Sequence, residues 1–159
     1  MDTMTIFGLQ FALSLLAWGA AARWLAVSHL EKLSAHEALS WLILPHTFRH
    51  LGLVFLVPGV VARPLPEAFA NPAAYGDLLA GLLALAAFAA LRSGKSFARP
   101  LAWLFNIVGT MDLLYAVTIG PLNNAAPAMG ATWYIPTFVV PLLLITHGMI
   151  FVRLVRGEG

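Results

Sequence analysis

Five stretches of the chain run almost unbroken in apolar residues, separated by short segments rich in polar residues, Pro and Gly. They fall at about residues 5–27, 38–61, 76–91, 101–119 and 133–155. A helix that crosses a bilayer needs ~20 mostly apolar residues, so the pattern predicts one spanning helix over each stretch. The breaks are residues 28–37, the Arg63-Pro64-Leu65-Pro66 segment running on to Pro72, the Ser93-Gly94-Lys95 turn, and the Gly120-Pro121 segment running on to Gly130. Clusters of this kind punctuate helices. The predicted fold class is an all-α integral membrane protein, a bundle of five transmembrane helices forming one domain over residues 1–159.

Composition agrees. Of 159 residues, 60% are hydrophobic and only 10% are charged, against about 25% charged in soluble domains. A chain of this size cannot bury so much apolar surface in its own core. The surplus faces lipid, and the bilayer is the first predicted partner. With no cysteine, disulfides and thiolate chemistry are excluded. A net charge of +2 without a basic stripe excludes nucleic acid as a partner.

Charge also orients the bundle. Five spans place Arg23, Lys32, Arg92, Lys95, Arg99, Arg153 and Arg156 on one side and only Arg63 on the other, with Arg49 inside the second span. Loops rich in Lys and Arg stay on the cytoplasmic side, which predicts an outer N-terminus, an inner C-terminus and residence in a bacterial inner membrane. Trp24, Trp41 and Trp103 fall near the inner ends of their spans, and Trp133 and Tyr134 at an outer end, as interfacial aromatics do. The first apolar run carries Asp2 before it and its first cation, Arg23, after it. A cleaved signal peptide has the reverse arrangement, so an uncleaved helix is predicted.

Several residues break the apolar pattern. The second span contains Pro45, His46, Thr47, Arg49 and His50. On an α-helix, residues 46, 49 and 50 share one stripe, with His50 near the bilayer midplane and His46 about 6 Å inward of it. A charge at that depth is expensive and normally faces a partner or a cavity. The fourth span offers Asn106, Asp112 and Tyr115, with Asp112 as the only buried acid and therefore the predicted partner of Arg49. Asn106, about 120° from Asp112 around the helix, suits either the site or a hydrogen bond between helices. The fifth span offers His147 beside Thr146, at a depth similar to that of His46. The third span reads as a packing helix of small residues, without chemistry. Gln10 and Ser14 read as hydrogen-bonding residues between helices, and His29 and His36 as solvated loop residues.

Three functions suit this set, and no catalytic residue is assigned. Neutral imidazole is the commonest metal ligand. His46 and His147 could therefore take the two axial positions of a haem, with Arg49 on a propionate, in a redox-related role. Alternatively, His46, His50 and His147 could hold a transition metal, with Asp112 as a fourth or outer ligand. A small-molecule, ion or proton transporter or channel would use the same Arg, Asp and His residues, and a small apolar ligand is possible in that case. Finally, the polar residues could fix helix packing in a homo-oligomer or a larger membrane complex.

Overall fold

The computed structural model describes residues 1–157. It contains five helices long and apolar enough to cross a membrane: α1 (Thr3–Leu30), α2 (Ala35–Leu56), α3 (Glu67–Arg92), α4 (Ala98–Leu122) and α5 (Gly130–Val155). Their ends carry local signals. The Asp2 carboxylate accepts hydrogen bonds from the Thr5 amide at 2.9 Å and the Thr5 hydroxyl at 2.7 Å. Ser34 and Glu37 form a reciprocal capping box at the start of α2, which satisfies two amides that have no partner within the helix.

The second helix changes geometry at the polar residues. It is α-helical over Ala35–Ile43 and a 3₁₀-helix over Leu44–Leu56, an unusual length for that form. Pro45 lies at its start and has no amide hydrogen to give. Three residues per turn bring positions three apart into line. His46, Arg49, Gly52 and Phe55 therefore form one buried row, while Phe48 and Leu51 face outward. His50 falls off this row and is exposed, which corrects the expectation that residues 46, 49 and 50 share a stripe.

The third helix starts at Glu67, well before the predicted residue 76, and carries Pro72 in its interior. Proline in a helix frees the carbonyl four residues earlier. That carbonyl, on Ala68, accepts a hydrogen bond from the Tyr115 hydroxyl at 2.9 Å. The Asn71-Pro72 pair therefore does not break the helix. Further along, Ala73, Ala80, Ala84 and Ala87 are buried, and α3 packs closely against α2 and α4. Small residues permit such close approach between apolar helices.

The first helix is peripheral. It packs mainly on α5, joined by hydrogen bonds from Trp133 Nε1 to Gln10 Oε1 at 2.5 Å and from Trp18 Nε1 to the Phe138 carbonyl at 3.0 Å. Leu9, Leu13, Leu16, Trp24 and Leu25 stay exposed. Apolar cores occupy both ends of the bundle. Leu39, Phe105 and Ile150 mark the end near the C-terminus, and Phe55, Phe69 and Met129 mark the end near the N-terminus. The polar residues lie between them.

Candidate binding site around Arg49

Arg49 sits at the centre of the bundle with its side chain 1% exposed. Its Nε donates to Asp77 Oδ1 at 2.7 Å and its Nη2 donates to Asp112 Oδ2. Nη1 donates to the Gly109 carbonyl at 3.0 Å and lies 3.4 Å from His147 Nε2. Predicted pairing with Asp112 is present, but Asp112 is not the only buried acid. Asp77, on the third helix that was expected to carry no chemistry, is also buried. It escaped the sequence reading because a span starting at residue 76 puts position 77 at the membrane edge, whereas a helix starting at Glu67 puts it ten residues inside. The Pro66-Glu67 pair, a helix-start signal, could have located it.

Three glycines make room for this triad. A Cβ on Gly52 would collide with the Asp77 carboxylate, and one on Gly76 with the Asp112 carboxylate. A Cβ on Gly109 would stand 2.8 Å from His147 Cε1 and 2.9 Å from Arg49 Nη1. Each helix that supplies or faces a charge thus lacks a side chain where the charge must fit.

The histidines form a second layer towards the C-terminal end. The His46 and His147 rings lie 4.2 Å apart between centroids, so the two depths inferred from sequence do match. Asn106 fixes the orientation of His147. Its Nδ2 donates to the His147 carbonyl at 3.3 Å, which leaves Oδ1 to accept from His147 Nδ1–H at 2.6 Å. His147 Nε2 is therefore the acceptor facing Arg49. The Thr146 hydroxyl donates to the Leu142 and Leu143 carbonyls, so His46 Nε2–H donates to Thr146 Oγ1 at 2.9 Å. His46 Nδ1 is left as a buried acceptor with no partner. Both tautomers follow from the partners on the opposite nitrogen.

A cavity of about 240 Å³ opens on the other side of the triad, towards the N-terminal end. Phe7 and Phe11 of α1 and Phe69, Leu113 and Val140 contribute to its apolar wall, and Asp77 and Asp112 provide its polar part. The two aspartate side chains are 12% exposed against 1% for Arg49, and both aspartates line this space while Arg49 does not. A second groove, of about 210 Å³, reaches Arg49 and Asp77 between α2 and α5.

The predicted set is brought together only in part. Arg49, Asp112, His46, His147 and Asn106 are neighbours, and Tyr115 stands apart on the Ala68 carbonyl. His50 faces outward with Nδ1 on the Thr47 carbonyl at 3.0 Å, so the set His46, His50, His147 and Asp112 does not converge. No group of three or more His, Asp or Glu among the described residues has the arrangement to hold a metal ion. Haem fares no better. Axial imidazoles need a flat macrocycle between them, but these rings touch each other, and Phe105 packs on both, with centroids 5.1 Å and 5.3 Å away. Three of the four imidazole nitrogens of the pair already have partners. The residues present do not fit either group.

The model of a domain of unknown function, DUF8737, matches residues 6–155 of the chain. No curated protein and no solved structure matches it.

Proposed function

Starting from the chain's membership of the DUF8737 family, we propose that this is a polytopic membrane protein that binds and carries a small, mostly apolar molecule. On this reading the chain crosses the bilayer five times with its N-terminus outside and its C-terminus inside. The molecule sits in the cavity that ends on Asp77 and Asp112. The carrying observation is that an apolar cavity of about 240 Å³ terminates on a buried ion triad held open by glycines. Small-molecule sites combine apolar walls with a few fixed polar groups in this way. Intramembrane charges usually mark a substrate or ion path.

A proton wire through the same residues is less well supported. Any such path from the carboxylates to the histidines must pass Arg49, whose guanidinium keeps its proton in proteins. The triad therefore acts as the floor of a binding site, and the His46–His147 layer braces Arg49 from behind.

Binding of 2-phenylethanol, a neutral probe of suitable size, tests this reading by titration calorimetry on the full-length protein in detergent. Saturable binding is expected, and Ala116→Phe, which places a ring in the cavity, should abolish it without lowering the melting temperature. Binding that survives the filled cavity would overturn the proposal, as would the absence of saturable binding by this probe and by its amine and carboxylate analogues.

A further inference from the structure

The charge on the cavity floor points to the class of molecule it takes. The triad holds two carboxylates and one guanidinium, which with both carboxylates ionised leaves one negative charge in excess. The other charged or titratable groups nearby do not offset it. His147 accepts from Arg49 and donates to Asn106, as a neutral imidazole. The wall that α1 contributes (Met4, Phe7, Gly8 and Phe11) carries no charge. Hydrogen-bond capacity is also left over. Arg49 occupies Asp77 Oδ1 and Asp112 Oδ2, and no hydrogen bond from a described residue reaches Asp77 Oδ2 or Asp112 Oδ1. These two oxygens lie against Gly52 and Gly76, at the positions a Cβ would take, and each aspartate side chain remains 12% exposed.

From the excess charge, the two free oxygens and the apolar walls, we infer that the cavity takes a small lipophilic monocation carrying N–H donors, such as a protonated primary amine on an apolar body. An excess charge in a site of this kind is costly unless a counter-charge completes it. An ammonium group supplies both the charge and the donors. An anion in this cavity would meet two carboxylates and no guanidinium. The inference rests on the cavity reading above and adds the sign of the ligand.

Three probes of nearly equal shape separate the two claims: phenethylamine, 2-phenylethanol and phenylacetate, each titrated into the full-length protein near neutral pH. The amine should bind at least about tenfold more tightly than the alcohol, the factor expected of one hydrogen bond to a charged group, and phenylacetate should bind most weakly. Ala116→Phe should abolish binding of all three. Asp112→Asn and Asp77→Asn each remove the excess charge, and each should bring the amine and alcohol affinities together. Equal affinities in the unaltered protein would overturn the cation inference and leave the cavity reading standing. So would an amine preference that persists in both Asn variants, or amine binding that survives Ala116→Phe. Failure of every probe would overturn the cavity reading itself. Comparing the three probes on the unaltered protein needs no variant to fold.

Discussion

Arg49 spends four of its five N–H groups on Asp77, Asp112, Gly109 and His147, and its two acids come from different helices. Removing the guanidinium leaves two carboxylates facing each other in an apolar surrounding. Arg49→Met should lower unfolding stability in detergent by about 3–5 kcal/mol, as losing one partner of a buried pair does. A simple Arg49–Asp112 pair would recover most of that loss in the double variant Arg49→Met/Asp112→Asn. Here the double variant still leaves Asp77 uncompensated, so recovery should come only when Asp77→Asn is added. Full recovery in the double variant would reduce Asp77 to a bystander. The sequence displayed Arg49 and Asp112 openly, since each is a lone charge in the middle of an apolar run. Asp77 was hidden because its depth depends on where the helix begins, and two prolines nearby disguised that start.

At the scale of elements, the shift of α2 from α to 3₁₀ geometry decides which histidine matters. An α-helical register groups His46 with His50 one turn apart. The 3₁₀ register groups His46 with Arg49, Gly52 and Phe55 instead. Replacing each histidine by Ala therefore tests the geometry. His46, fully buried between His147 and Phe105, should cost about 2–5 kcal/mol, the range for emptying a packed core position. His50 should change stability by no more than about 0.5 kcal/mol, as exposed positions do. Comparable losses in chemical unfolding would mean that the α register is the true one. Most element positions were legible in the apolar runs, with ends displaced by a few residues, except the start of α3, which lies at Glu67 and not at residue 76. The 3₁₀ turn was not, because apolar residues surround every position of the span and no polar face marks its period. Pro45 was the single local hint. Pro72 misled in the opposite direction, since its freed carbonyl finds a partner on Tyr115 of another helix, a contact that no local pattern reveals.

For the whole molecule, the number of spans and the distribution of cations have to agree. Five helices put Arg23, Lys32, Arg92, Lys95, Arg99, Arg153 and Arg156 at one end. Arg99 donates to the Leu154 carbonyl at 2.9 Å, which ties the start of α4 to the end of α5 there. The opposite end carries Arg63, Asp2 and Glu67, and an α4–α5 connection over residues 123–129 without any charge. Cations near an anionic cytoplasmic surface gain about 1 kcal/mol each, so inverting the bundle would forfeit that gain several times over while the apolar spans stayed equally buried. Reporter fusions after the last residue and within the 123–129 connection should therefore report opposite sides of the membrane, with the C-terminal fusion cytoplasmic. The same side for both would mean that α5, the one helix between the two fusion points, does not cross. Opposite sides with the C-terminal fusion outside would keep the α5 crossing and reverse its orientation. The cavity that ends on Asp77 and Asp112 would then open towards the cytoplasmic half of the bilayer, where a carrier would collect its molecule instead of delivering it.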